Sequence, residues 1–263
     1  MLKALWSFRW FIVCSMMRDL QKAYYGKALF GSLLILIRPL FLVFVYTIIF
    51  SQVMKHRSGL IYDSLSYTIY LGSGIFTWFY FSEVINKTTV VFVQNGNILN
   101  QSYVPRSSLP LITLFSATIN FIIIILIFLC FLLFKQRLPG WELLGLIPLM
   151  LIQQAIAMGI GVLAGALNVY FRDTQQILPV VVQAWFWLTP IVYPIQIIPE
   201  NFRHLIQAWN PIYPLMEAYH NLFLNGTFPD TGLLINYGLW SLAFVTLVVI
   251  LFRYLSRDLA DEL

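Results

Sequence analysis

The sequence predicts an all-α polytopic membrane protein with six transmembrane helices, and its composition, charge content and long apolar runs support this prediction. Of the 263 residues, 60% are hydrophobic and 10% are charged, and the mean hydropathy is +0.80. A soluble domain carries about 25% charged residues. A helix needs about 20 mostly apolar residues to cross a hydrocarbon core ~30 Å thick. Lipid is therefore the expected solvent for most of this chain.

Six apolar runs are long enough to cross the membrane. They cover residues 29–53, 67–86, 109–134, 143–171, 177–199 and 233–252. The segments between them are short, so residues 1–263 are predicted to form a single transmembrane domain.

The N-terminal region, residues 1–28, precedes the first span and has an amphipathic pattern. Met16 and Leu20 fall on one helical face, whereas Arg18 and Lys22 fall on the other. This pattern predicts a helix that lies in the membrane interface. The alternative is an amphipathic helix that packs on protein.

Small residues in the fourth span indicate a close helix contact. Gly161 and Gly165 form a GxxxG pattern, which lets another helix approach the backbone closely. The partner helix lies either in the same chain or in a second copy of it.

The segment between spans five and six, residues 199–226, is too polar to span the membrane but rich in aromatic residues. We expect it to form short helices that dip into the outer interface. Broken helices at such a depth are tolerated only against protein or water.

The distribution of basic residues predicts the orientation. With six spans, ten of the 16 Lys and Arg residues fall on the side of the two termini, five fall on the other side, and Arg38 lies within the first span. The positive-inside rule then places both termini in the cytoplasm. The net charge of +5 is placed as a bilayer requires, so nucleic acid is not an expected partner.

The sequence lacks the signatures of a nucleotide site or a metal site. It contains no GxxxxGK[ST] loop, the element that cradles nucleotide phosphates. His56, His204 and His220 are predicted to be solvated residues of outer loops, without the spacing needed to form a metal site with Cys14 or Cys130. The two cysteines are also not expected to form a disulfide.

No constellation of residues predicts an enzyme or an ion-coupled carrier. The outer carboxylates Glu200, Glu217 and Asp230 could serve an acid/base reaction, but nothing in the sequence brings two of them together. Arg38 and Glu83 are the ionisable candidates within spans. Both either snorkel to the interface or face a water-filled path.

Three blocks of sequence resemble the permease subunits of ABC-2 exporters for polysaccharides, namely O-antigen, capsule and wall teichoic acid exporters. The first is RDLQKAYYGKALFGSLLILIRPLFLVFVYTIIFS, in which Arg38 stands where that family is expected to have Asn, Gln or Glu. The second is FYFSEVINKTTVVFVQNGNILNQSYVPRSSLPL. The third and most specific is LNVYFRDTQQILPVVVQAWFWLTPIVYPIQIIPENFRHLIQAWNPIYPLMEAYHNLFLNG.

The resemblance implies roles for two sets of residues. Contact with the ATPase is implied for polar residues of the second block and for the Arg-Asp turn, namely Asn95, Asn97, Tyr103, Pro105, Arg106, Arg172 and Asp173. An outer gate is implied for residues of the third block, namely Trp209, Asn210, Pro211, Tyr213, Pro214, Glu217 and Tyr219.

Aromatic residues are predicted to line the substrate path, because sugars present apolar C–H faces as well as hydroxyls. Aromatics account for 17% of the chain. The candidates lie in spans one, two and five, and are Tyr46, Tyr70, Phe76, Trp78, Trp185, Trp187 and Tyr193. The alternative for each is a place in the lipid-facing or interfacial aromatic belt.

The resemblance also implies the partners and the location. It implies a homodimer in the bacterial inner membrane that works with two copies of a separate ATPase, which binds ATP and Mg, so that this chain has no cofactor and is not an enzyme. The implied substrate is a lipid-linked polysaccharide. Two alternatives stay open, an ABC-2 exporter of drugs or lipids, and a structural or channel subunit without an ATPase.

Overall fold

The computed structural model describes residues 10, 13–18, 37, 40–48, 64–96 and 107–255. Within these ranges the regular structure is helical, which confirms the all-α prediction. The α-helices are α1 (Ser64–Gln94), α2 (Ser108–Phe134), α3 (Leu146–Tyr170), α4 (Thr174–Leu188), α5 (Glu200–Trp209), α6 (Tyr213–Asn225) and α7 (Thr231–Leu255). Residues 13–18 and 40–48 are also helical, and 3₁₀ turns cover Trp141–Gly145 and Ile195–Ile197.

Three described helical segments are long and apolar enough to cross a membrane. They are Ser108–Phe134, Trp141–Tyr170 and Thr231–Tyr254, and they coincide with predicted spans three, four and six. Predicted span two lies within α1, whose 31 residues extend over about 46 Å. The described helical residues 40–48 fall in predicted span one.

Helix α4 covers only the first part of predicted span five. It has 15 residues and ends at Leu188, whereas the apolar run continues to residue 199. Thr189 adopts an extended conformation with φ −103° and ψ 131°, as expected for a residue that precedes a proline. Pro190 and the following residues form a turn instead of further helix.

Helix α1 is the central element of the bundle and packs against α2, α3, α4 and α6. Its side chains Leu71, Ile75, Phe81 and Val84 are completely buried. The residues around this helix form the main hydrophobic core.

The glycines of α3 lie against α1 of the same chain. A Cβ atom at Gly161 would lie 2.7 Å from the Cβ of Thr88, and one at Gly165 would lie 2.8 Å from the carbonyl oxygen of Thr88. Both distances are below 3.0 Å, which Cβ atoms in proteins essentially never show, so a larger residue at either position would push the two helices apart. The GxxxG pattern therefore serves helix packing within the chain.

Polar side chains join the helices inside this apolar bundle. The Gln153 amide donates to the Thr77 carbonyl over 2.8 Å, and the hydroxyls of Thr88 and Thr113 lie 3.1 Å apart. Each such bond between membrane helices contributes about 0.6 kcal/mol on average. The bonds fix the register of α1 against α2 and α3.

A second, smaller hydrophobic cluster lies where α1, α3 and α7 end. It includes Phe92 and Phe252, whose ring centroids lie 5.3 Å apart. Met16, from residues 13–18, packs against this cluster. The described part of the N-terminal region thus contacts protein, and its position in a membrane interface stays a prediction.

Candidate functional site

A groove with a cavity volume of ≈ 720 Å³ opens between residues 40–48, α1 and α4. This volume lies in the range of ligand pockets, about 300–1,000 Å³. The described residues that line it are Phe41, Leu42, Tyr46, Trp78, Phe79, Ser82, Glu83, Asn86, Pro179, Val182, Gln183 and Phe186. We call it the aromatic groove, because it combines aromatic rings with mostly uncharged polar groups.

The aromatic side of the groove is rigidly packed. Trp78 is 4% exposed, and its ring meets Trp185 edge-on at a centroid distance of 6.0 Å. The Trp185 ring also meets Phe81 edge-on at 5.6 Å, and its Nε1–H donates to Asn210 Oδ1 over 3.1 Å. Edge-to-face contacts add stability beyond buried area, so these rings form a fixed wall.

The polar side of the groove comes mainly from one face of α1. Ser82, Glu83 and Asn86 lie on the same face of the helix as the Phe79 ring, at i+3, i+4 and i+7 from it. Gln183 of α4 adds an amide to the same cavity. Hydroxyl, amide and carboxylate groups therefore share one cavity with the rings.

Glu83 is tied to two neighbours. Its Oε1 accepts hydrogen bonds from Lys87 Nζ, one helical turn away, and from Asn120 Nδ2 of α2 over 2.8 Å. The lysine balances the charge of the carboxylate, and the amide fixes its position. Glu83 lines the groove, and whether this groove is a water-filled path stays a prediction.

The turn that follows α4 is held by two tyrosines of α1. The Tyr67 hydroxyl donates to the Val192 carbonyl over 2.8 Å. The Tyr70 hydroxyl lies 2.9 Å from the Tyr193 carbonyl oxygen and 3.3 Å from that of Pro190. The turn is thereby fixed to the first turns of α1.

Helix α6 joins the same contact through His220. Its ring stacks on Tyr70 at a centroid distance of 3.8 Å, its Nδ1 lies 3.0 Å from Ser73 Oγ, and its Nε2 lies 3.4 Å from the Pro190 carbonyl oxygen. A Cβ atom at Gly74 would lie 2.6 Å from the ring. We call this contact between α1, the turn and α6 the tyrosine-histidine clasp.

The prediction that His220 is a solvated surface residue was wrong. The side chain is 6% exposed, and burial lowers its pKa to about 4, against the opposing effect of its hydrogen bonds. The error arises because α6 turns back onto α1. His204 is exposed, as predicted, and His56 lies outside the described residues.

A smaller polar cleft lies beside the clasp, with a cavity volume of ≈ 140 Å³. The residues that line it are Tyr70, Pro190, Pro194, Ile195, Gln196, Tyr213, Glu217, His220, Asn221, Leu224 and Asn225. Burial, and next the neighbouring Glu217, raise the pKa of Tyr213 to about 12. Tyr213 is therefore a neutral hydroxyl at any physiological pH.

The opposite end of α4 begins at an exposed turn formed by Arg172 and Asp173. The buried Asn168 braces this turn. Its Nδ2 donates to the Thr89 carbonyl over 3.2 Å, and its Oδ1 accepts from the Gln175 backbone N–H over 3.1 Å. Asn168 therefore links α1 to the start of α4.

Residues 12–224 match the family model described as ABC-2 type transporter, which is most of the chain. The chain belongs to the ABC-2 type transporter family. Members of this family are membrane-integral transport subunits that work with an ATPase, in agreement with the apolar helices described above.

Relatives of the ABC-2 chain carry the names of export and transport proteins. It is 29% identical over 226 residues to an O-antigen export system permease protein, RfbA, of Klebsiella pneumoniae, covering 86% of this chain and 82% of that protein. A protein of the same name from Myxococcus xanthus is 25% identical over 231 residues, 88% and 86% of the two chains. The polysialic acid transport protein KpsM of Escherichia coli is 23% identical over 235 residues, 89% and 88%.

In this ABC-2 chain, the structure brings some of the predicted path residues to the groove. Tyr46 and Trp78 line it, and Trp185 packs directly behind Trp78. The groove also contains Ser82 and Asn86, which the sequence analysis did not single out. Their helical spacing with Glu83 was the signal that could have found them.

The other predicted path residues lie elsewhere. Tyr70 and Tyr193 meet at the clasp. Phe76 is 1% exposed and packs edge-on against Phe128 in the core. Trp187 is 48% exposed and does not line either cavity.

Among the predicted gate residues, Asn210 makes the most side-chain hydrogen bonds. Its Oδ1 accepts from Trp185 Nε1 and from the Ile212 backbone N–H, both over 3.1 Å. Its Nδ2 donates to Thr189 Oγ1 over 2.8 Å. This asparagine connects the end of α4 to the loop between α5 and α6.

The remaining gate residues lie on or beside α5 and α6. Tyr213 and Glu217 line the polar cleft, Tyr219 is completely buried, and Trp209 is 81% exposed. Pro211 and Pro214 flank the start of α6, where a proline is tolerated because the first helical N–H groups need no partner.

The predicted ATPase-facing residues are only partly described. Arg172 and Asp173 form the exposed turn between α3 and α4, and Asn95 follows the last residue of α1. Asn97, Tyr103, Pro105 and Arg106 lie outside the described residues, as does Arg38.

Proposed function

We propose that this chain is the permease subunit of an exporter that moves a polysaccharide, such as O-antigen, across the bacterial inner membrane. The observation that carries this proposal is the aromatic groove, which borders three membrane-associated helical segments. The names of the relatives support the substrate class.

The groove has the chemistry that a sliding sugar chain requires. Sugar rings present apolar C–H faces, which pack on aromatic side chains such as Trp78 and Phe79. Their hydroxyls both donate and accept hydrogen bonds, which suits the hydroxyl of Ser82 and the amides of Asn86 and Gln183. Many weak contacts of this kind support a polymer without trapping it.

The proposed assembly is a homodimer with two copies of a separate ATPase. The sequence has no phosphate-binding loop, so ATP and Mg would be bound by the ATPase. The aromatic groove would then be one wall of a path that a second copy completes. The charge distribution favours an orientation with both termini in the cytoplasm.

Helix α4 provides a mechanical link in this proposal. It begins at the Arg172–Asp173 turn, which the ATPase would contact, lines the groove through Val182 and Gln183, and ends next to the clasp. Movement of the turn would shift α4 against α1 and widen the groove. Asn168 would transmit this movement, since it bonds both helices.

A thiol-blocking experiment tests whether the groove is the path. In a chain whose Cys14 and Cys130 are replaced by Ser, Ser82→Cys introduces a thiol into the groove. The cells also contain the cognate ATPase and make the polymer. The cells are given a radiolabelled sugar, and the labelled polymer that newly appears on the surface of spheroplasts is measured. After reaction with a bulky maleimide, we expect this amount to fall by at least ~10-fold.

The matched control is Lys135→Cys, because Lys135 is exposed at the end of α2 and lines neither cavity. Its labelling should leave export within about twofold of the unlabelled protein. Normal export by fully labelled Ser82→Cys would remove the groove from the path. No export by the unmodified chain with its ATPase would contradict the export function itself.

A further inference from the structure

The polar cleft beside the clasp has walls that are held in place. The Tyr70 hydroxyl is fixed by the carbonyl oxygens of Tyr193 and Pro190, at 2.9 and 3.3 Å. The His220 ring stacks on Tyr70 and lies 3.0 Å from the Ser73 hydroxyl. Because these contacts lie within the chain itself, the cleft is formed before a ligand enters, as is usual for small-molecule sites.

One face of α6 supplies most of the polar groups of the cleft. Tyr213, Glu217 and Asn221 follow one another at intervals of four residues, which places their side chains on the same side of the helix. Asn225, one turn further, donates from Nδ2 to Asn221 Oδ1 over 3.1 Å. This bond uses the oxygen of Asn221 and one N–H of Asn225, so the pair still offers amide donors and an amide oxygen to the cleft.

The opposite wall comes from the turn after α4. Gln196 adds another amide there, and Pro194 gives the cleft an apolar surface that Leu224 of α6 extends. The side chains of Gln196, Glu217 and Asn221 are exposed, so a molecule from the solvent can reach them. The cleft therefore combines hydrogen-bond donors, acceptors and apolar groups within one small volume.

We infer that the polar cleft binds a single sugar ring of the exported polymer. The choice of a sugar rests on the proposed export function. Sugar hydroxyls donate to a carboxylate such as Glu217 and both donate to and accept from amides such as Asn221, while the C–H face of the ring packs on Pro194 and Leu224. The cavity volume of ≈ 140 Å³ equals that of about five water molecules at ~30 Å³ each, which is room for one ring.

The position of the cleft along α1 gives the sugar site a role. Tyr70 precedes Trp78 of the aromatic groove by eight residues, or about 12 Å along the helix axis. In the proposed orientation α1 runs from the outer side to the cytoplasm, so the cleft lies on the outer side of the groove. It holds the polymer as the sugars leave the groove.

Protection of a thiol by sugar tests this inference on the full chain in phosphatidylcholine nanodiscs. In the background without Cys14 and Cys130, Leu224→Cys places a thiol in the cleft and keeps all of its polar groups. The probes are the methyl glycosides of glucose, galactose, mannose and rhamnose. One sugar held by a few hydrogen bonds binds weakly, with a dissociation constant on the order of 10 mM, so each probe is used at ~100 mM. We expect at least one probe to slow labelling by a fluorescent maleimide by ~5-fold or more.

Two further variants show whether the protection is local. Gln196→Cys reports from the opposite wall, so the test survives if Leu224→Cys does not fold, and it should be protected by the same sugar. Asn201→Cys is the matched control, because Asn201 is exposed on α5 and lines neither cavity. Its labelling rate should stay within about 1.5-fold. Adding Asn221→Leu to either cleft thiol should reduce the protection to less than ~2-fold, whereas adding Asn201→Leu should leave it unchanged.

The inference is overturned if none of the four sugars protects a cleft thiol, or if Asn201→Cys is protected equally. Full protection in the presence of Asn221→Leu would overturn it as well, because other groups would then hold the sugar. Labelling is measured without export. Absence of protection in a chain that exports polymer therefore contradicts only the sugar site, whereas protection in a chain that exports no polymer contradicts only the proposed function.

Discussion

The clasp makes a sharp prediction about the Tyr70 hydroxyl. Tyr70→Phe keeps the ring that stacks on His220 but removes the donor to the carbonyls of Tyr193 and Pro190, at 2.9 and 3.3 Å. The Pro190 carbonyl still has His220 Nε2 at 3.4 Å, so the carbonyl that loses its hydrogen-bond donor is mainly that of Tyr193.

A fully buried acceptor that loses its donor costs about 1–3 kcal/mol, but the bond to the Tyr193 carbonyl is only partly buried, which places its cost in the lower part of that range. Hydrogen bonds between membrane helices contribute about 0.6 and at most about 1.7 kcal/mol. We therefore expect Tyr70→Phe to lower the free energy of unfolding by about 1–2 kcal/mol. Equilibrium unfolding of the detergent-solubilised chain measures it. Proteolysis should also cut the turn at residues 189–199 faster.

Tyr254→Phe is the control, because Tyr254 is 75% exposed. Its free energy of unfolding should change by less than about 0.5 kcal/mol, as is usual for surface substitutions. A loss for Tyr70→Phe no larger than that of the control, with unchanged proteolysis of the turn, would refute the role of this hydroxyl.

Two further predictions concern packing and pH. Gly165→Ala should destabilise the chain by about 1–3 kcal/mol, because the added Cβ would lie 2.8 Å from the Thr88 carbonyl oxygen. Gly238→Ala should be neutral or stabilising, since nothing lies within 4 Å of its added Cβ. Equal effects in denaturant unfolding would contradict the close α1–α3 contact. Burial lowers the pKa of His220 from 6.5 to about 4. Between these two pH values the His220 ring is therefore protonated in the unfolded chain but neutral in the folded chain. The free energy of unfolding is therefore highest above about pH 6.5 and falls by roughly 3 kcal/mol as the pH drops towards 4. His220→Gln should remove this pH dependence of the free energy of unfolding. If the variant and the unmodified chain show the same pH profile, the His220 ring is not buried in the folded chain.

Hydropathy located the long helices well. Helices α2 and α7 begin and end within a few residues of predicted spans three and six, because an uninterrupted apolar run of that length has few alternatives to a helix in lipid. Hydropathy failed at the end of α4, where the run stays apolar after Leu188. There the backbone restriction before Pro190 decided the conformation.

The site was less accessible to sequence reasoning. Of the aromatic residues predicted to line a substrate path, Tyr46 and Trp78 line the groove. The same prediction also selected Phe76, which lies in the core. The side of α1 that faces the groove depends on where α2, α3 and α4 pack, and the sequence of α1 alone does not contain that information.

By itself, the sequence determined that this chain is a helical membrane protein, where three of its spans lie, and to which family it is similar. These properties follow from local composition and from motifs that keep their order along the chain. Only the tertiary structure decided that His220 is buried against Tyr70, that Gly161 packs on Thr88, and that Glu83 borders a groove. Each of these depends on residues distant in sequence, whose contact is set by how the helices pack around α1.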